Sequence, residues 1–185
     1  PGSKYGGPIF DFNKSPQLSI KKLKDNYIFV VMGTRPENFT RPLEEIDRLI
    51  DKGLITKKVI AQLGHAKYKP KNFNSFHFCS REIFELLIYN SDLVINGNGA
   101  GTISSCLKYR KPVILAPRLY ALGEVKIKNL DIAIEFNDLN LIRTVYDMKE
   151  LYKAIQNPQA PQIEQIELEE GITSLIQNKL ENWRK

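Results

Sequence analysis

Cysteine is nearly missing: the 185 residues hold two, Cys79 and Cys106. Two cysteines with no metal-ligand spacing exclude a disulfide framework and a zinc ribbon, and they suit a reducing compartment. Histidine is as scarce, with His65 and His77 alone, and this pair forms no zinc pattern. No apolar run approaches the ~20 residues that a membrane span requires. The start, Pro1-Gly2-Ser3, is polar, carries no signal peptide, and reads as a cloning remnant; on that reading the chain is a fragment without its native start. Arginine-rich helices and nucleic-acid motifs are also lacking, so nucleic acid is not expected as a partner. What the chain has in excess is positive charge, 27 Lys and Arg against 21 Asp and Glu, a formal net charge of +6. That balance favours anionic partners such as nucleotides or an anionic membrane surface, and it serves equally as a plain soluble surface. The length suffices for one domain with a real core, plus arms.

Apolar patterning divides the chain. Residues 1–25 are rich in Gly, Pro, Ser and Lys and read as an arm or linker. Tyr27 to Met32 is a continuous apolar run ending in Gly33, the mark of a strand buried on both faces. A helix should begin near Thr40, with Pro42 in its first turn and Leu43, Ile46, Leu49 and Ile50 at helical spacing. "KKVIAQLG" and "SFHFC" read as the second and third strands, and Ser80 caps a helix carrying Ile83, Phe84, Leu86 and Leu87. "DLVIN" is the fourth strand, Thr102 to Tyr109 a helix, and "VILAP" the fifth strand. Weaker signals place a helix around Leu130, a strand near Leu141 to Val145 and a helix capped by Asp147. "QNPQAPQ" is a linker, and Ile166 to Trp183 an amphipathic terminal helix. Strands alternating with helices predict an α/β doubly wound parallel sheet, Rossmann-like. The expected domains are an arm over 1–25, a lobe over 26–157, and a linker with a helix over 158–185.

In that topology a ligand crevice opens at the carboxyl ends of the first and fourth strands. Those ends carry Gly33-Thr34-Arg35 and the stretch Asn96-Gly97-Asn98-Gly99-Ala100-Gly101-Thr102. Bare backbone N–H groups at a strand-to-helix junction can bind an anion, and glycines let a diphosphate approach closely. The spacing is neither G-x-G-x-x-G nor a P-loop. From the glycines alone, a tight turn with close helix packing explains the stretch equally well.

"IFVVMGTRPENFTRPLEEIDRLIDKGLI", "VIAQLGHAKYKPKNF", "SDLVINGNGAGTISSCLKYRKPVILAPR" and Gly123-Glu124 come in the order found in one family. They resemble the glycosyltransferase family 28 C-terminal domain, most closely the small catalytic subunits of two-part glycosyltransferases that build exopolysaccharides and lipid-linked oligosaccharides. The likeness covers roughly residues 27–155. It implies a single C-terminal lobe of a GT-B glycosyltransferase. Such a lobe binds a UDP-sugar as substrate, with no cofactor and no metal. It acts beside an acceptor-binding lobe or a membrane-anchored partner subunit, and lies in the cytoplasm, peripheral to the membrane inner face. Carried over by position, Gly33 and Thr34 match the first loop beside the donor phosphates. Phe78 matches the place where backbone meets the base, and Asn98, Gly99, Ala100, Gly101 and Thr102 match the phosphate turn. Glu124 matches the acidic residue of a Gly-Glu motif near the donor.

Three departures stand out. Gly97 occupies a position where many members have histidine. The family's Gly-Glu-His is Gly123-Glu124-Val125, and a later His-Gln pair becomes Asn129-Leu130. Leucine cannot hydrogen-bond a sugar hydroxyl, so sugar recognition is altered or absent. The alternative function is a non-catalytic, degenerate lobe kept for interaction or regulation. "VMGTRPENFTRP" also resembles the opening of the non-hydrolysing UDP-N-acetylglucosamine 2-epimerases, over one strand and one loop only.

Other polar residues have plain readings. Glu44, Glu45 and Asp47 are expected on the solvated face of the first helix, and Asp131 and Glu135 on the surface. Arg118 could reach a phosphate or be a plain surface arginine. His65 reads as a loop histidine, His77 as structural and Cys106 as buried and inert. No catalytic base can be named from the sequence.

Overall fold

The computed structural model describes residues 26–97, 99–126 and 131–162. The expected arm, the terminal helix, and Asn98, Asn129 and Leu130 lie outside the described residues, as do the side chains of Asp131 and Glu135.

The strands are β1 (Tyr27–Val31), β2 (Lys58–Gln62), β3 (Asn74–Phe76), β4 (Leu93–Asn96), β5 (Val113–Leu115) and β6 (Arg143–Thr144). The helices are α1 (Arg41–Asp51), α2 (Arg81–Asn90), α3 (Ala100–Lys108), α4 (Asp131–Asp138) and α5 (Leu151–Gln156). All five strand pairings are parallel, in the order β3-β2-β1-β4-β5-β6. This is the doubly wound order, and its direction reverses between β1 and β4. No helix among the described residues is long and apolar enough to cross a membrane.

Alternation along β1 feeds two cores. Tyr27, Phe29 and Val31 pack with Leu87, Ile103 and Leu107 on one face of the sheet. Ile28, Val30 and Met32 pack with Leu43, Ile46, Leu49, Leu151 and Ala154 on the other. Side chains of successive strand residues point to opposite faces, so a sheet sandwiched between helix layers needs an unbroken apolar run. The Tyr27 hydroxyl, buried in the first core, donates to the carbonyl of Leu87 at 2.6 Å.

Two sequence expectations change. β3 stops at Phe76 instead of running to Cys79. Its partner strand ends at Gln62 and turns at Gly64, whose φ is +58°. Asp47 is not on a solvated face: it is buried, and its carboxylate accepts from the Tyr68 hydroxyl (2.7 Å) and the amides of Lys71 (2.8 Å) and Asn72 (2.9 Å). The Asn72 side chain closes the clasp on the Asp47 carbonyl at 3.2 Å. Asp47 thus fastens the β2–β3 connection onto α1. Burial first, and then this bond, push the Tyr68 hydroxyl up to about 12. Asp47→Ala strands three donors and is expected to lower unfolding free energy by about 2–4 kcal/mol, read from urea denaturation midpoints.

Candidate functional site

A cleft of about 750 Å³ opens at the carboxyl ends of β1 and β4. That volume suits a small-molecule ligand. One wall comes from the loop after β1, with Gly33, Thr34 and Arg35, joined by Arg118 and Val125. The opposite wall comes from α2 and the residues before it, with Cys79, Arg81, Phe84 and Glu85. Between them lies the first turn of α3: Gly99, Ala100, Gly101 and Thr102, with Ser105 one turn further on.

The turn into α3 is held by Asn96, which is wholly buried. Its Nδ2 donates to the Gly99 carbonyl at 3.0 Å, and its Oδ1 accepts the Gly99 amide at 3.2 Å. This corrects the expectation that every amide of the turn stands open, because Gly99 is already paired. The first helical bond runs from the Ile103 amide to the Gly99 carbonyl, at 3.1 Å. Among the described residues, nothing accepts from the amides of Ala100, Gly101 and Thr102. Orphan donors of a helix start carry the positive end of its dipole, and these three border the cleft. A Cβ built on Gly101 meets nothing within 4 Å, so glycine keeps that approach clear.

Arg118 is not a surface residue. It is 4% exposed, and its guanidinium donates to the carbonyls of Glu37 (2.9 Å), Glu124 (3.2 Å) and Met32 (3.0 Å). These bonds use three of the five N–H donors a guanidinium carries. Desolvation lowers its pKa, but an arginine remains charged at neutral pH. Among the described residues, the cleft is therefore lined by three arginines, Arg35, Arg81 and Arg118, against one carboxylate, Glu85.

The side chains of Glu124 and Phe78 are engaged outside the cleft. Glu124 is buried but does not line the cleft. Its carboxylate is paired with Arg41 (2.6 and 3.0 Å) and accepts the Leu119 amide at 2.8 Å. Arg41 continues to the carbonyls of Pro117 and Tyr146, at 2.9 and 3.2 Å. Glu124 therefore ties the segment after β5 to the start of α1. Phe78 is half-buried, and its ring packs edge-on against His65 at 5.2 Å between centroids. The neighbouring Cys79 lines the cleft instead, and burial pushes its thiol up to about 12. It is a protonated, weakly nucleophilic thiol at neutral pH.

The departures at Gly97 and Val125 gain a physical setting. A Cβ at Gly97 would come within 2.8 Å of the Phe39 ring and 3.3 Å of the Val31 carbonyl. Phe39 in turn lies under two guanidiniums, with Arg118 at 4.8 Å and Arg41 at 5.6 Å from the ring centroid. This aromatic takes the room a larger side chain at 97 would need. Val125 presents an apolar group to the cleft where histidine was expected.

Behind the cleft-lining Gly33, the loops after β1 and β2 meet backbone to backbone. A Cβ on Gly64 would fall 1.9 Å from the Gly33 carbonyl oxygen. The Gly64 amide donates to the His77 carbonyl at 3.0 Å. The His77 Nδ1 lies 2.9 Å from the Gly64 carbonyl. A carbonyl can only accept, so that nitrogen carries the proton.

Sequence reasoning placed Asn96 at the crevice without its role in holding the turn, and missed Arg41, Gln62, Arg81, Glu85 and Ser105. Asn96 alone had a local signal, an Asn three residues before the helix N-cap.

No family model matches the chain, and no curated protein matches its sequence. Solved structures do match. The UDP-GlcNAc 2-epimerase of Methanocaldococcus jannaschii, in complex with UDP-GlcNAc and UDP, is 15% identical with a TM-score of 0.56 over 80% of this chain and 44% of its own. The glycosyltransferase of kitacinnamycin is 16% identical with a TM-score of 0.55 over 72% of this chain and 34% of its own. The solution structure of ALG13 is 18% identical with a TM-score of 0.49 over 74% of this chain and 89% of its own. The chain thus spans less than half the length of the first two. What the first two likenesses show is the fold, a Rossmann-like α/β lobe built on one open parallel sheet.

Proposed function

We propose that this lobe binds a UDP-sugar and serves as the donor half of a glycosyltransferase whose acceptor is lipid-linked or saccharide. The observation that carries the reading is the set of three unpaired amides at Ala100, Gly101 and Thr102, bordering a cationic cleft at the switch point. Preorganised N–H donors stabilise developing negative charge without reorganising during reaction. The epimerase that shares the fold was solved with UDP-GlcNAc and UDP, which supports a uridine-linked ligand.

In the proposed reaction an acceptor oxygen attacks the anomeric carbon of the donor sugar. The bond from that carbon to the phosphate oxygen breaks, and UDP leaves with the electron pair. The α3 amides and the free donors of Arg118 hold the diphosphate, aided by Gly33 and Thr34. No metal is needed for that step. The acceptor loses a proton to a base that we assign to a second lobe. The longer fold neighbours, of which this chain spans 44% and 34%, are compatible with such a lobe. On this reading the lobe alone is inactive, and the partner lobe brings it to the membrane face.

Titration calorimetry of the chain with UDP, UDP-glucose, UDP-galactose and UDP-N-acetylglucosamine is the test, and saturable binding of UDP and of at least one UDP-sugar is expected. A second reading, a non-catalytic lobe, is favoured by the engagement of Glu124 with Arg41 and by apolar Val125 on the cleft wall. Absence of binding to every nucleotide would support it and contradict the first.

A further inference from the structure

At the end of α2 and α3 away from the cleft, two tyrosines and two lysines stack at the surface. Tyr89, in the last turn of α2, is 57% exposed, and Leu86, three residues before it on the same helix, is 39% exposed. The Tyr89 ring meets Tyr109 edge-on, at 5.4 Å between centroids. Lys111 lies over the Tyr89 ring at 5.7 Å from its centroid, and Lys108 over the Tyr109 ring at 5.0 Å. Arg110, between them in the chain, is exposed. The carboxylates nearest in sequence are engaged elsewhere, Glu85 with Ser105 at 2.7 Å and Asp92 with Lys57 at 2.7 Å. Both helices start at the cleft, with Arg81 and Ala100. Eight residues further on, at ~1.5 Å each, the patch lies about 12 Å from it.

Plain explanations fall short. A lysine at a helix C-terminus complements the helix dipole, which accounts for Lys108. It gives no reason to leave a tyrosine and a leucine bare beside it. Single exposed apolar residues are ordinary, but these two adjoin on one helix face and are bordered by cations. Stable docking of a second protein takes ~800 Å² from each partner, far more than these few side chains offer. A single-stranded nucleic acid stacks its bases on open aromatic faces, and here each ring has a lysine over it. A bilayer interface asks for what is present: amphipathic rings at headgroup depth, lysines at lipid phosphates and a shallow apolar contact.

We infer that this patch is a docking surface for an anionic lipid bilayer, centred on Tyr89, Lys108, Tyr109 and Lys111. It gives the lobe a membrane contact of its own, beside the one proposed for a partner lobe. It does not depend on the diphosphate reading of the α3 amides.

The test is cosedimentation of the full chain with phosphatidylcholine vesicles, with and without about one quarter phosphatidylglycerol. Wild type is expected to partition onto the anionic vesicles about 10–30-fold better in ~50 mM salt, with most of that preference gone at ~0.5 M. Lys108→Glu with Lys111→Glu should shrink the preference to within about 3-fold. Tyr89→Ser should weaken vesicle binding by about 3–10-fold at unchanged charge. Lys67→Glu with Lys69→Glu, an exposed pair on the loop after β2, makes the same charge change away from the patch and should keep most of the preference. Melting temperatures check that the variants fold, and UDP affinity should be unchanged in the patch variants. No preference for phosphatidylglycerol in wild type, or an equal loss in the two lysine pairs, would overturn the proposal. So would tighter binding of a single-stranded oligonucleotide that the same patch variants abolish. If vesicles bind and UDP does not, the donor reading fails alone.

Discussion

Gly101→Asp is expected to weaken UDP binding by at least about 100-fold while leaving the fold as stable as before or slightly more so. The position is open, since a Cβ there meets nothing within 4 Å. A carboxylate in the first turn of α3 interacts favourably with the helix dipole, by about 0.3–1 kcal/mol. Replacing glycine inside a helix adds a few tenths more. The same carboxylate stands where the diphosphate is proposed to sit. Two charges about 5 Å apart at an effective dielectric of ~20 repel by about 3 kcal/mol. Stability and affinity are thus driven in opposite directions by one substitution. Gly101→Asn separates shape from charge and should cost about 10-fold or less. Calorimetric titration gives the affinities and thermal unfolding gives the stability. Equal affinity in wild type and Gly101→Asp would place the anion elsewhere.

Gly64→Ala is expected to destabilise the chain by about 2–5 kcal/mol. Its added methyl would sit 1.9 Å from the Gly33 carbonyl oxygen, a backbone atom that no rotamer change can move aside. Overpacking of this kind costs about 1–3 kcal/mol. The positive φ of +58° adds about 1–2 kcal/mol for any residue with a Cβ. Gly33→Ala is the control: its φ is +79°, but the space beside it is open, so only the conformational cost of about 1–2 kcal/mol applies. Urea denaturation of both variants measures the difference. Gly64→Ala as mild as Gly33→Ala would mean that the β1 and β2 loops are not in backbone contact.

The framework was legible because burial on both faces of a parallel sheet writes itself as unbroken apolar runs. Tyr27–Val31 and residues 93–95 are such runs, and both lie in central strands. The position of the cleft followed from topology. What the sequence hid are contacts between residues far apart in the chain. Arg41 and Glu124 are 83 positions apart and pair in space, so the carboxylate expected near the ligand is committed to the scaffold. Ser105 and Glu85 meet across two helices, which no local pattern encodes. Asp47 was open to a better reading: it follows Leu43 by four residues and shares its buried face, so helical periodicity already placed it inside. Gly97 differs again, because its lack of a side chain is explained only by the Phe39 ring that fills the space.

The central claim is that the backbone amides of Ala100, Gly101 and Thr102 hold the diphosphate. Amide chemical shifts of the nitrogen-15-labelled chain, followed during titration with UDP, test it directly. The account predicts the largest downfield proton shifts at these three amides, with the Gly99 amide nearly still because Asn96 already holds it. Saturable binding that leaves all three unmoved, and perturbs a different surface, would contradict it.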